Sequence, residues 1–206
     1  EIQNKFIENK VQGKVKMKDK DWIEKFQNAG IDIDESKKVW AIENYNLLVD
    51  GTKGIQALHE IRELVIQGFQ EAMHGGPLAK EEVHGVKVTL VDAKLHEDAI
   101  HRGPSQIIPV VSRTIFACML AAKAVLQEPK QLLTITTPEE YMGAGSKELQ
   151  QRRTQITEIK NEGDATIIIG LAPVKELIGF SQAIRGAAQG RVIWTAEYHG
   201  YEILPP

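Results

Sequence analysis

The chain has 206 residues, of which 42% are hydrophobic and 26% are charged, as in folded globular proteins of one large or two modest domains. Its formal net charge of −3 gives no overall basic character, so any RNA contact must come from a local patch. The single cysteine, Cys118, excludes an intrachain disulfide and a cysteine zinc cage. No apolar run approaches the roughly 20 residues that cross a bilayer.

The first part of the chain predicts short helices with a lysine-rich segment between two of them. The helices are expected over residues 2–9, 20–29 and 33–42, the third capped by Asp32 or Asp34. The segment KVQGKVKMKDK holds Lys10, Lys14, Lys16, Lys18 and Lys20. It is interpreted as a solvated linker, with a contact to an RNA backbone as the alternative. NLLVDG (46–51) then predicts a short strand that ends in a turn.

The clearest helix in the sequence covers residues 55–74. Its apolar residues recur at spacings of three and four and form a stripe that faces a core: Leu58, Ile61, Val65, Phe69 and Ala72. Gly68 costs the helix about 1 kcal/mol relative to alanine. That cost indicates that another element packs closely against Gly68.

A long strand and a second long helix are predicted next. The strand covers 85–96, with Val86, Val88 and Leu90 on one face. The helix covers 107–124, with Pro109 in its first turn, where a missing N–H is no loss. Its predicted buried stripe consists of Val111, Ile115, Cys118 and Ala122. Cys118 is therefore predicted to be a core residue and not a reactive thiol.

Gln127-Glu128-Pro129 predicts a domain boundary, which gives domains over 1–126 and 127–206. Beyond it, strands are predicted at 131–138, 154–161, 165–174 and 191–198, and helices at 142–153 and 174–190. This βαββαβ order is the ferredoxin-like split arrangement. Two of these strands, TQITEIKN and ATIIIGLAP, carry no aromatic residue to stack a base, so canonical single-strand RNA binding is not expected.

Functional side chains are concentrated in LHEDAIHRGPSQ, residues 95–106. A zinc helix places two histidines four residues apart, on one face. His96 and His101 are five apart, which separates them by roughly 140° on a helix and puts them on opposite faces of a strand. A metal-dependent hydrolase built on His96, Asp98 and His101 is the remaining metal hypothesis. The sequence contains no GxSxG elbow around a serine and no phosphate loop.

The segment fits a stiff, exposed loop better than a metal site. Gly103 and Pro104 predict a tight turn, and the polar residues around it are His101, Arg102 and Gln106. Such a tip suits insertion into a polyanionic site, where hydrogen bonds and one cation position it. The alternative is a self-satisfied loop, in which Asp98 accepts from local N–H groups and Arg102 pairs with Glu97.

LHEDAIHRGPSQIIP closely resembles the tip of domain IV in the elongation factor 2 family of translation factors, in its archaeal form. Other stretches resemble that family in the same order: NLLVDGTKGIQALHEI, VIQGFQEAMHGGPLAKEEVHGVKVTLVDAKLH, PEEYMGAGSKELQQRRTQI and FSQAIRGAAQGRVIWTAEYHGYE. The resemblance runs from about residue 20 onward. It is more specific than any single motif.

The resemblance implies an α+β protein of two domains. Domain IV, over 1–126, is expected to have the left-handed βαβ crossover of a small-subunit ribosomal protein, and domain V, over 127–206, to be ferredoxin-like. Together they are expected to be the C-terminal part of a GTP-driven ribosomal translocase. The family's GTPase domain, its first domain IV strand and its last helix are expected to lie outside this sequence. No GTP, Mg²⁺ or other cofactor and no enzymatic activity are therefore expected for this part.

The resemblance also assigns roles to the tip. In the family the histidine of DAIHRG becomes diphthamide, and His101 matches that position. Contacts with tRNA, mRNA and rRNA are expected from His96, Asp98, Arg102, Gly103 and Gln106. The expected partners are the ribosome with these RNAs and the enzymes of diphthamide synthesis, for a cytoplasmic monomer that binds neither DNA nor membranes. The alternative is a free-standing, ribosome-associated RNA-binding module of the same folds without a GTPase.

Overall fold

The structure is a computed structural model that describes residues 2–205. The chain forms two compact units, which divide between Ala124 and Val125; we call them unit 1 and unit 2. Unit 1 contains α1 (Ile2–Glu8), α2 (Lys20–Asn28), α3 (Ile33–Ser36), β1 (Val39–Glu43), β2 (Asn46–Asp50), α4 (Leu58–His74), β3 (Lys87–Leu90) and α5 (Pro104–Ala121). Unit 2 contains β4 (Gln127–Pro138), α6 (Met142–Gln151), β5 (Gln155–Glu162), β6 (Ala165–Pro173), α7 (Phe180–Ala187) and β7 (Ile193–Ile203). The α+β class with two sheets is thus confirmed.

The predicted third helix is wrong in its second half. Asp32 does cap α3, because its Oδ1 accepts hydrogen bonds from the N–H groups of Asp34 (2.8 Å) and Glu35 (3.4 Å). The helix ends at Ser36, however, and β1 begins at Val39. Four consecutive residues, 39–42, are buried. Val39 and Ile42 belong to one core and Trp40 and Ala41 to the other, on opposite faces of the sheet. A strand can bury both faces in this way, whereas a surface helix buries one stripe.

The sheet of unit 1 lies between two layers of helices. Its strand order is β1-β2-β3, with β1 and β2 antiparallel and β2 and β3 parallel. One face packs against α4 and α5, in a core that includes Trp40, Leu48, Phe69 and Ile115. The other face packs against α1, α2 and the loop between them, through residues that include Phe6, Phe26 and Val49.

The apolar stripe of α4 is buried as predicted, from Leu58 to Ala72. The prediction of a close approach at Gly68 is also confirmed. A Cβ placed on Gly68 would lie 2.8 Å from Cβ of Val111 and 2.9 Å from the carbonyl O of Ile108, both on α5. The missing side chain at Gly68 therefore lets α5, the helix that follows the candidate tip, pack directly on α4.

The strand and helix on either side of that tip differ from their predicted bounds. β3 ends at Leu90, and 91–98 form no regular element. α5 begins at Pro104, its first residue, so the proline at the helix start is Pro104 and Pro109 lies inside the helix. By length and composition alone, this 18-residue helix could cross a membrane, although Ser112 and Arg113 interrupt its apolar sequence.

The prediction that Cys118 is a core residue is wrong. α5 buries Ile115 and Met119 against α4, with Val111 partly buried beside them. Positions 111, 115 and 119 repeat every four residues and face α4, so the predicted positions 118 and 122 lie outside the contact between the two helices. Cys118 is exposed, as is Ala122.

Unit 2 is a four-stranded antiparallel sheet in the order β5-β6-β4-β7. α6 and α7 cover one face, and the core between them includes Leu133, Leu149, Ile168, Phe180 and Ile184, all fully buried. The predicted helix over 174–190 is wrong as a continuous element. A 3-10 turn (Val174–Leu177) and α7 are separated at Gly179, whose φ of +76° is left-handed and favours glycine.

A buried ion cluster joins the start of β4 to the end of α6. Glu128 accepts hydrogen bonds from Nη1 (3.2 Å) and Nη2 (2.9 Å) of Arg153 and lies 3.0 Å from Nζ of Lys130. Both Glu128 and Lys130 are buried. The hydrogen bonds from Arg153 hold the pKa of the Glu128 carboxyl below its ordinary value, although burial opposes them.

Candidate functional site at the loop between β3 and α5

Residues 91–103 form an exposed loop between β3 and α5, which we call the tip loop. Its centre is a 3-10 turn, Ala99–His101, in which the N–H groups of His101 and Arg102 donate to the carbonyl groups of Asp98 (3.2 Å) and Ala99 (3.0 Å). Residues 96–101 are all exposed, including Ile100 at 73%. The sequence reasoning gave Ile100 no role, although its apolar side chain lies at the apex.

Asp98 and His96 hold the backbone of this turn. Oδ1 of Asp98 accepts the N–H of Ile100 at 3.1 Å and so caps the turn. Nδ1 of His96 accepts the N–H of Asp98 at 3.0 Å. Because Nδ1 is an acceptor, the proton of the neutral ring is on Nε2. The two side chains thus make local bonds, and no described hydrogen bond uses Nε2 of His96.

The rings of His96 and His101 lie against each other. Their centroids are 4.5 Å apart and the ring planes make an angle of 66°, an edge-to-face contact. The separation predicted from ideal helix or strand geometry is therefore wrong, because the 3-10 turn bends the chain between them. Within the residues that the structure describes, no group of three or more His, Cys, Asp or Glu side chains is arranged to hold a metal ion.

Arg102 is directed into the protein, in contrast to the prediction of an outward tip contact. Its Nη1 donates to the carbonyl groups of His96 (2.8 Å) and Glu97 (3.0 Å), and its Nη2 lies 2.6 Å from Oε2 of Glu60 on α4. The side chain is only 11% exposed. The alternative of a self-satisfied loop is confirmed for Asp98, which accepts a local N–H. Arg102 contacts only the backbone of Glu97 and pairs with Glu60, so its predicted partner is wrong.

Glu60 is a positioning residue that the sequence reasoning missed. It lies 42 residues before Arg102, in the first turn of α4. Its carboxylate neutralises the guanidinium and ties the tip loop to the helix that forms the core of unit 1. No local pattern in the sequence indicates this pairing, because it depends on how β3 and α5 return to α4.

The far side of the loop is formed by the first residues of α5. Gly103 caps the helix with φ −77° and ψ 172°, angles that any residue adopts, so the turn predicted at Gly103 and Pro104 does not depend on the conformational freedom of glycine. A Cβ there would lie 3.0 Å from Oε1 of Gln106. Gln106 is exposed, and the same oxygen accepts from Oγ of Ser105 at 3.0 Å. Gly103 therefore provides room beside Gln106.

The chain matches two known protein domains. The family described as "Elongation factor G, domain IV" matches residues 10–123, and "Elongation factor G C-terminus" matches 125–206. The chain therefore belongs to the elongation factor G family, through its domain IV and C-terminal regions. The GTPase domain of that family is not among the regions that match.

Archaeal elongation factor 2 provides similar curated relatives over nearly the whole chain. The protein of Methanopyrus kandleri is 47% identical over 207 residues, which is 99% of this chain and 16% of that protein. The protein of Archaeoglobus fulgidus is 50% identical over 93% of this chain and 26% of its own length, and that of Methanocaldococcus jannaschii is 50% identical over 89% and 25%. The chain thus spans about a quarter or less of the length of these relatives.

Proposed function

We propose that the chain is the part of an archaeal-type elongation factor 2 that enters the decoding centre of the small ribosomal subunit while tRNA and mRNA are translocated. In this proposal residues 1–126 are domain IV, with a left-handed crossover from β2 through α4 to β3. Residues 127–206 are a ferredoxin-like domain V, which the strand order β5-β6-β4-β7 supports. GTP and Mg²⁺ belong to a different domain of the translocase.

The observation that carries the proposal is an exposed loop whose backbone is held by hydrogen bonds to the loop's own side chains. The side chains of His96, Asp98 and Arg102 bond the loop's own backbone or α4, so little freedom is lost when the tip enters a crowded site. His101 is exposed beside them, and no described hydrogen bond engages its ring. We assign His101 as the site of diphthamide, an attachment point at the apex and not a ligand or a base.

The proposal gives the other tip residues distinct roles. His96, Asp98, Gly103 and Gln106 are proposed to contact tRNA, mRNA and rRNA, through exposed polar groups or, at Gly103, through close approach of the backbone. Arg102 was expected to make such a contact and is instead proposed to hold the loop in place. The proposed partners are the ribosome with these RNAs and the enzymes of diphthamide synthesis. The protein would act in the cytoplasm as a monomer.

Mass spectrometry of the tip loop tests this assignment. Trypsin cleaves after Lys94 and Arg102 and releases LHEDAIHR, which contains both His96 and His101. For protein made in an archaeal host, we expect a mass increase that fragmentation places on His101. Protein made in bacteria, which lack the modifying enzymes, should give the unmodified peptide. An unmodified His101 from the archaeal host, or a mass increase on His96, contradicts the assignment.

A further inference from the structure

We propose that residues 10–20, which we call the lysine loop, bind the phosphate backbone of RNA. The loop connects α1 to α2 on unit 1, and its sequence lies outside the tip loop that the proposed function uses. The identity of the RNA as ribosomal rests on the proposed function, whereas the binding chemistry rests on the loop itself. The loop would give the protein a second RNA contact, independent of sequence.

The lysines of this loop are exposed and, among the described residues, have no acidic partner. Lys10, Lys14, Lys16, Lys18 and Lys20 are all exposed, and none of them forms an ion pair within residues 2–205. Asp19 is the one acid in the loop, and its carboxylate caps α2 by accepting the N–H groups of Asp21 and Trp22. The chain as a whole has a formal charge of −3. The loop is therefore a concentrated positive region on an otherwise slightly acidic protein.

The loop backbone is anchored, so the interpretation as a plain solvated linker is incomplete. Val11 and Val15 are 2% and 8% exposed and belong to the core between the sheet and α1–α2. The N–H of Val11 donates to the carbonyl of Phe6 at 2.9 Å. Gly13, with φ +119°, passes close to the ring of Trp22. Anchored backbone positions reduce the entropy that is lost when the lysine amines engage a polyanion.

The composition of the loop favours an RNA backbone over a protein or a membrane. Protein interfaces are depleted in lysine and depend on buried aromatic or arginine anchors, and the loop has neither residue type. Membrane-surface segments insert a face of several apolar side chains, but Val11 and Val15 are already buried in the core, which leaves Met17 as the exposed apolar side chain of the loop. Phosphate contacts by lysine require neither feature. The remaining partner is a phosphodiester backbone.

Replacement of three lysines in the full 206-residue chain tests the proposal. The test variant carries Lys14→Gln, Lys16→Gln and Lys18→Gln. The control carries Lys53→Gln, Lys80→Gln and Lys123→Gln, three exposed lysines of unit 1 with the same change in charge. Binding to a 20-nucleotide single-stranded RNA is measured against salt concentration. Because each phosphate contact contributes about 0.7 to the slope of log K against log salt, the test variant should lose about 2 from that slope. Its affinity at 0.1 M salt should fall by about 100-fold.

The control and two further probes complete the experiment. Equal losses in the test and control variants, or no loss in the test variant, overturn the proposal, since binding then reflects total charge or another surface. The proposal is also overturned if the chain binds polyglutamate or anionic phospholipid vesicles through these lysines as tightly as it binds the RNA. Binding to the isolated RNA is measured without ribosomes. If the parent chain and both variants all fail to bind ribosomes, the proposed function is contradicted, but the RNA measurement still tests the role of the lysine loop.

Discussion

Replacing Glu128 with Gln is expected to lower the free energy of unfolding of unit 2 by about 3 kcal/mol at neutral pH. The substitution removes the buried carboxylate that Arg153 and Lys130 share. Lys130, whose side chain is 10% exposed, would then have Glu202 at 3.8 Å as its nearest described acid. The decrease in the free energy of unfolding is measured by urea titration, with hydrogen exchange of amides in β4 and β6 as the probe of unit 2. Glu158→Gln is the matched control, because Glu158 forms an exposed pair with Lys160 and should cost less than about 1 kcal/mol.

The same cluster makes the stability of unit 2 depend on pH. The folded-state pKa of Glu128 lies below its ordinary value of 4.5. Its contribution is therefore fully present above the ordinary pKa and is lost as the pH falls through the lowered pKa. The difference in the free energy of unfolding between the parent chain and Glu128→Gln should become smaller as the solution is acidified below about pH 4.5. A loss equal to that of Glu158→Gln, or a difference that does not change with pH, contradicts this role.

Replacing Arg102 with Gln is expected to loosen the tip loop without unfolding unit 1. The guanidinium makes three bonds, two to loop carbonyl groups and one to Glu60. Charge-assisted bonds of this kind contribute about 1.5–3 kcal/mol. Exchange of the amide hydrogens of Asp98, Ile100 and Arg102 should therefore become at least about tenfold faster. Arg113→Gln, an exposed arginine on α5, is the control and should leave these amides unchanged.

A double-mutant cycle separates the effect of the contact between Arg102 and Glu60 from that of a general loss of charge. Glu60→Gln should produce a similar acceleration of exchange in the tip loop. The double variant Glu60→Gln with Arg102→Gln should be little worse than Arg102→Gln alone, because both substitutions break one contact. Fully additive effects, or unchanged exchange in Arg102→Gln, would mean that the loop is held by its own turn alone.

Elements with a strong period or a clear turn signal could be predicted from the sequence. The α4 stripe repeats every three or four residues, and the structure buries all five of its residues. Gly68 was unfavourable enough in a helix to indicate a close neighbour, and α5 occupies that position. Segment 39–42 has no single period because it is buried on both faces, and for that reason the sequence predicts a helix where the structure has β1. Burial on both faces depends on the helices that pack there, which no local pattern contains.

The exposed loop could be predicted in its position, but its internal bonding only in part: the local bond of Asp98 was anticipated, and the partner of Arg102 was not. The segment of polar residues and the Gly-Pro step indicated an exposed loop, and residues 96–101 are exposed. Arg102 was expected to face outward because its partner, Glu60, is distant in sequence. The contact between the rings of His96 and His101 requires a 3-10 turn, which spacing on an ideal helix or strand does not anticipate. These features follow from tertiary structure and local bending.

Directed cleavage of ribosomal RNA from the tip loop tests the central claim most directly. Cys118→Ser removes the exposed native thiol, and Ser105→Cys places a single thiol in the first turn of α5, where an iron chelate can be attached. On archaeal ribosomes, radicals from this position should cut small-subunit rRNA at the decoding centre. The same chelate at Asp164→Cys, in the exposed hairpin of unit 2, should not give those cuts. No cuts at the decoding centre from position 105, or the same cuts from both positions, would contradict insertion of the tip.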